Sequence, residues 1–432
     1  MVLKNKLLNL QIVPFFILSF PVFVDLLNGF MQGADSEGDS MVGLLYRGGV
    51  LLFSLPFLKH YKYNRLLYSI IAVGGIVLSF HIILGGFTRN DFTQFVKIIY
   101  GFFLLSILLG HRNFKDKEVV CDCAIFYGLF AALSLIICKV LGVGYASYIE
   151  GTFGLRGFFI ATNDVGLTML MMNALALYRF LDTGQWRYFV FSITISAGCA
   201  LVGSMACYMG TVMLYVAYIL ASIIAKRRAP QKNKSDRVRI GFTVVVILLL
   251  GAYAVTTIIN IIMEDSYLSS KYEDVGATLA ENGGRASLIN AGEQFIGARP
   301  FLENIVGSGD KFLLGVSTIG GYGSQQAKGV ESDFWDLYGC YGIILVILIY
   351  WLPVKALFRS LRLLLKRREQ VYYWTLVLTL IFLGHAFYGG HAFTSPLSAS
   401  YYVITIYLLD EDMQARRREV KHSVTENKLN KQ

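Results

Sequence analysis

Apolar stretches close to the length of a bilayer crossing recur along almost the whole chain. No other feature constrains its fold as strongly. A hydrocarbon core about 30 Å thick is crossed by a helix of about 20 apolar residues. Such stretches fall at 8–28, 41–58, 67–86, 93–110, 119–143, 157–180, 188–203, 205–225, 240–262, 333–353, 371–388 and 396–409. They predict an all-α polytopic membrane protein of about twelve helices. Only Gly203-Ser204 separates the seventh stretch from the eighth, which leaves open a re-entrant pair. The first stretch is long and no small-residue cleavage site follows it closely, so it reads as a retained span. Just 16% of the 432 residues are charged, against roughly 25% in soluble domains, which argues against a cytosolic enzyme.

The charges then give the orientation. With the amino terminus inside, beside Lys4 and Lys6, most of the 39 basic residues fall on the inner side. Three runs are dense: Lys226 to Arg239, Lys355 to Arg368, and Arg416-Arg417-Arg418. This is the positive-inside bias, and it accounts for the net charge of +10. A basic chain can also bind nucleic acid, but here the charges sit at span ends, so no nucleic-acid partner is expected. The chain divides into an N-terminal bundle (1–262), an outer loop (263–332), C-terminal helices (333–409) and a basic cytoplasmic tail (410–432). Cys121-Asp122-Cys123 has no metal-ligand companions and reads as small membrane-facing residues. The absence of an internal repeat argues weakly against an inverted-repeat carrier.

The outer loop is the one extramembrane segment with room for chemistry. Leu288, Ala291, Phe295 and Ile296 are spaced for one face of a helix over 285–296, expected to lie on the membrane. Pro300 opens a second short segment and Gly307-Ser308-Gly309 ends it. Gly320-Gly321-Tyr322-Gly323 then gives the flexibility that lids over membrane cavities use, although a plain surface loop fits equally well.

Ionisable groups near the outer face are the candidates for function. Arg47 and Lys97 lie inside spans, Arg89 and Arg156 in short outer loops, Arg285 opens the loop helix, and Arg299 lies in the outer loop beyond it. Guanidinium forks grip phosphate oxygens two at a time. Arg47, Arg89, Arg156, Asn163 and Arg299 are therefore the expected substrate-binding residues, with Arg285 beside the chemistry; snorkelling to the interface is the competing reading. Glu331-Ser332-Asp333 stands where the loop returns to the membrane, with Asp336 one turn on. Glu331 or Asp333 is the expected general base, and Ser332 or Asp333 also suits a helix N-cap. Asn163-Asp164 is a second polar pair, and Asp25 reads as interfacial. His81, His385 and His391 read as packing residues, and no histidine lies in 263–332. There is no P-loop, zinc-type cluster or nucleophile elbow, so no cofactor or metal is expected.

Three sequence pieces resemble one family. The first is Gly284-Arg285-Ala286-Ser287-Leu288-Ile289-Asn290 with Gly292-Glu293, Phe295-Ile296, Pro300 and Val306-Gly307-Ser308-Gly309. The second is Glu331-Ser332-Asp333-Phe334 with Asp336-Leu337, Gly339 and Gly342-Ile343. The third is Gly151-Thr152-Phe153-Gly154 with Arg156 and Asn163. Together with the span count they resemble the O-antigen polymerase/ligase superfamily, of the Wzy-type polysaccharide polymerases, and are distantly similar to SEDS glycan polymerases. The resemblance implies a GT-C-like membrane glycosyltransferase in the bacterial cytoplasmic membrane, with both termini cytoplasmic. It would polymerise undecaprenyl-diphosphate-linked oligosaccharide, for O-antigen, capsule or exopolysaccharide. Implied partners are that oligosaccharide, membrane lipids, a chain-length regulator and a flippase. Relatives that act as ligases use a histidine near the end of the long loop; here that place reads Glu331-Ser332, which favours a polymerase. Many relatives carry Ser-Arg between the paired spans where this chain has Ser204-Met205, so Arg47 could replace a missing cation. An O-antigen ligase or a lipid-linked oligosaccharide flippase is the alternative.

Overall fold

The computed structural model describes residues 10–33, 41–59, 62–147, 154–228, 241, 243, 245, 284–321, 323 and 329–429. The expected ninth span, 240–262, falls almost wholly outside them. The Lys4 and Lys6 end and most of the run up to Arg239 lie outside them too.

The first eight helices are α1 (Ile12–Gln32), α2 (Met41–Leu58), α3 (Asn64–Ile83), α4 (Arg89–Gly110), α5 (Lys117–Leu141), α6 (Thr162–Thr183), α7 (Trp186–Val202) and α8 (Met205–Arg228). Between α5 and α6 a small antiparallel hairpin pairs β1 (Tyr145–Ala146) with β2 (Leu155–Gly157). The outer loop contributes α9 (Gly284–Ala298), α10 (Phe301–Val306) and α11 (Asp310–Ile319). The chain finishes with α12 (Asp333–Arg367), α13 (Gln370–Tyr388) and α14 (Pro396–Leu429). Among the described residues, eight helices are long and apolar enough to cross a membrane. The chain is an all-α, multi-pass membrane protein.

Helix α6 is not among those eight, and its position explains why. Every residue from Val165 to Leu181 is buried, including Thr168, Asn173 and Arg179. A helix wrapped in other helices meets protein instead of lipid, so it can carry polar groups that are satisfied locally. Asn173 does so with Ser192 and Ser196 of α7, at 2.6 and 2.9 Å. Small residues let neighbouring backbones approach in a bilayer, where lipid leaves little hydrophobic drive for association. A Cβ on Gly198 of α7 would come within 2.6 Å of Ala132 of α5.

Three expectations change with the fold. The turn at Gly203-Ser204 reaches the loop-bearing end of the bundle, where the Val202 carbonyl accepts a 2.7 Å hydrogen bond from Ser147. Helices α7 and α8 are therefore two successive crossings, not a re-entrant pair. Cys121 and Cys123 face the protein interior at 1% and 0% exposure, not the lipid. The apolar face of α9 does not lie on the membrane: Leu288 and Ala291 are buried, and Phe295 meets the Phe312 ring of α11 edge-on at 5.6 Å.

The loop helices dock on a break in α12. Gly342 has φ +75°, and the backbone amides of Ser308 and Gly309 donate to the carbonyls of Gly339 and Cys340 at 2.9 and 3.0 Å. A Cβ on Gly342 would sit 2.0 Å from the Ile305 carbonyl oxygen. The glycines of the two loop motifs are thus the two halves of one backbone joint.

Candidate functional site

One end of the bundle carries the hairpin, the loop helices and the 389–395 turn. At this end the structure opens a cavity of about 240 Å³. Its polar lining comes from Asp25 and Asn28 (α1), Arg47 (α2), Gln94 and Lys97 (α4), Asp164 (α6), and His391, Thr394 and Ser395 (the turn). Phe159, Ile160, Pro396 and Leu397 supply the apolar wall. Next to it runs a narrow apolar cleft lined by Ile17, Leu18, Pro21, Tyr100 and Leu104, which shares Asp25 and Arg47 with the cavity.

The two span cations predicted from sequence therefore meet in one place. Arg47 is held there by Asp25, whose carboxylate accepts from its guanidinium at 3.0 Å and from the Tyr127 hydroxyl at 3.0 Å. Asp25 is buried at 9% exposure, so its expected interfacial position is corrected to a buried ion pair beneath the cavity. A charge taken out of water needs this kind of partner.

The other predicted cations separate. Arg156 borders the cavity: its guanidinium donates to the Ile160 carbonyl at 2.5 Å and covers the Tyr145 ring at 5.7 Å. Asn163 bonds the Gly389 carbonyl at 3.4 Å, tying α6 to the turn. Arg89 is exposed at the start of α4, apart from the cavity lining. Arg299 is buried as a brace within the loop: it donates to Asn304 at 2.8 Å and the Gly339 carbonyl at 3.1 Å, over the Tyr338 ring at 4.7 Å. Arg285 lies in the first turn of α9, with its side chain outside the described residues.

Among the expected carboxylates, Asp333 is occupied. One of its oxygens accepts from the amides of Ala392 and Phe393 at 2.6 and 2.8 Å, and it is 1% exposed. Asp336 accepts from the Val330 amide at 2.7 Å. Ser332 stands at the N-cap of α12 with no side-chain cap bond. Neither Glu331 nor Asp333 lines the cavity; the carboxylate that does, besides Asp25, is Asp164.

His391 is the residue the sequence reading passed over. It is exposed by the measure of its own surface, yet it lies deep among the helices, because that surface faces the cavity. Burial disfavours its imidazolium, but the carboxylates of Asp164, Asp333, Asp336 and Glu331 outweigh that and hold its pKa above the ordinary histidine value. Its backbone is left-handed at φ +60°, a conformation that costs roughly 1–2 kcal/mol outside glycine. No local sequence signal marks it. Only the fold brings residue 391 next to residues 164 and 331. The absence of a histidine from 263–332 thus does not leave the loop's point of return without one.

Among the described residues no group of His, Cys, Asp and Glu is arranged to hold a metal ion. No curated protein matches the chain. A family model described as O-antigen ligase like membrane protein matches residues 4–273, well over half of the sequence. By that match the chain belongs to the family of O-antigen ligase like membrane proteins.

Proposed function

We propose that this membrane enzyme of polysaccharide assembly transfers a glycan from an undecaprenyl-diphosphate-linked donor, at the outer face of the bacterial cytoplasmic membrane, as a polysaccharide polymerase. The observation that carries the reading is the joint placement of Arg47 and Lys97 on a cavity that adjoins an apolar cleft at Arg47. The cavity, with these two cations on its lining, has room for the anionic head of a lipid diphosphate. Fixed cations aimed at a diphosphate stabilise it most when it departs.

In the transfer, a hydroxyl of the acceptor sugar attacks the anomeric carbon. The bond from that carbon to the diphosphate oxygen breaks, and the lipid diphosphate leaves with the electron pair. The hydroxyl proton passes to a carboxylate. Asp164 is the proposed acceptor, because it opens to the cavity whereas Asp333 already receives two amides. Glu331, Arg156 and Asn163 frame the site. Arg299 and Asp333 support the surrounding loop and turn.

A ligase is the second reading, and one observation favours it: His391 beside Glu331 removes the argument from the missing loop histidine. Purified protein supplied only with lipid-linked repeat units separates the two. Lengthening of the lipid-linked chain supports a polymerase, whereas a strict need for a lipid A core acceptor assigns a ligase. Removing Arg47 and Lys97 together (R47A with K97A) is expected to lower the transfer rate roughly 10²–10³-fold. Unchanged transfer in that variant would overturn the site. In cells, deletion of the gene without build-up of lipid-linked units would overturn the polymerase reading.

A further inference from the structure

The turn between α13 and α14 is built with unusual care for a seven-residue connection. Asp333 receives the amides of Ala392 and Phe393 at 2.6 and 2.8 Å. The His391 carbonyl accepts from the Ser395 amide at 3.2 Å and the Ser398 hydroxyl at 3.1 Å. Gly390, at φ +66°, lets the Glu331 backbone pass where a Cβ would meet it at 2.8 Å. Everything around His391 is fixed, yet His391 itself is left-handed and turned to open space in the cavity. Strain held in place by a rigid frame, next to a cavity, marks a functional position.

We infer that His391 is the third cation of the donor site, presenting its imidazolium to the donor diphosphate alongside Arg47 and Lys97. This rests on the lipid-diphosphate reading given above. The charges that face the turn come from every side. They are Arg47 of α2, Lys97 of α4, Asp164 of α6, Glu331 at the loop's return, and Asp333 and Asp336 of α12, and the titratable ring of His385 on α13 lies against Gly389. The acids outnumber the bases in this shell and keep the imidazole charged beyond its usual range. A diphosphate entering the cavity then meets three positive groups against two lining carboxylates, Asp25 and Asp164. Donor binding is consequently strongest below the pKa of His391 and weakens as pH rises through it.

The test is equilibrium binding of undecaprenyl diphosphate to the purified full-length protein in lipid nanodiscs, between pH 6 and pH 9. Wild type should lose affinity roughly tenfold over that interval, the weight of one charge-assisted contact. His391→Gln should bind about tenfold more weakly at pH 6 and show none of this loss. Because the diphosphate titrates as well, the deciding quantity is the difference between the two profiles. His391→Lys should restore binding at the alkaline end, which a packing role would not. Asp333→Asn, which keeps His391 but weakens its turn, should fall between wild type and His391→Gln. If His391→Gln binds with wild-type affinity and wild-type pH dependence, the inference is overturned and the donor reading stands. If wild type binds no undecaprenyl diphosphate at any pH, the donor reading itself is overturned.

Discussion

At the scale of the residue, ion pairs among the described residues occur at both ends of this bundle, and the two ends use them differently. At the loop-bearing end, Arg47 and Asp25 pair at the floor of a cavity, where the guanidinium still faces open space. At the opposite end the pairs are closed. Arg179 lies 3.4 Å from Glu118, 3.5 Å from Asp182 and 3.9 Å from Asp122, and Asp410 takes Lys62 at 2.8 Å and Arg359 at 2.6 Å. The second kind holds helices together, and none of its members lines the cavity described above. Replacing Arg179 by Met should therefore lower the unfolding temperature in detergent, by less than the roughly 3–5 kcal/mol of a buried carboxylate left uncompensated, because Asp122 keeps the Tyr188 hydroxyl at 2.7 Å and Glu118 and Asp182 are partly exposed. It should leave the donor affinity of the folded fraction unchanged. A specific loss of donor binding at wild-type stability would assign Arg179 to the site instead.

At the scale of the element, the joint between the outer loop and α12 decides how the loop helices sit on the bundle. The loop helices bury Leu288, Ala291, Phe312 and Val316, and Phe312 packs against Gly339 of α12. Their docking depends on the backbone pairing of Ser308 and Gly309 to the break at Gly342. Gly342→Ala forces a side chain into a left-handed residue and to within 2.0 Å of the Ile305 carbonyl, at a cost above about 1–2 kcal/mol. Limited proteolysis should then cut the 284–332 region faster than in wild type, with the membrane helices intact. Equal cleavage rates would show that the joint does not hold the loop. The glycines of this joint were visible in the sequence as motif positions. What they do was not, because the partner of each glycine lies about 35 residues away along the chain.

At the scale of the molecule, the orientation proposed from the positions of the basic runs can be tested directly. All six native cysteines are buried, so they leave a quiet background for labelling. Phe301, 79% exposed on α10, and Arg362, exposed near the end of α12, sit at opposite ends of the bundle. In intact cells a membrane-impermeant maleimide should label Phe301→Cys and leave Arg362→Cys unmodified until the membrane is opened. The reverse pattern would invert the proposed topology and move the donor site to the cytoplasm.

The sequence by itself determined the class of fold and marked the eight long apolar helices that the structure describes, because hydrophobic length is a local quantity; the charge bias of its loops is what the proposed orientation rests on. It also marked Arg47 and Lys97, since an ionisable residue within a span stands out without any knowledge of its neighbours. Only the tertiary structure decided which of these groups share a space. It joined Arg47 to Asp25, turned Arg299 and Asp333 into supports, and set His391 among carboxylates from three other segments. Helix α6 gives the general reason. Its polar residues look costly along the chain, and only enclosure by its neighbours makes them ordinary.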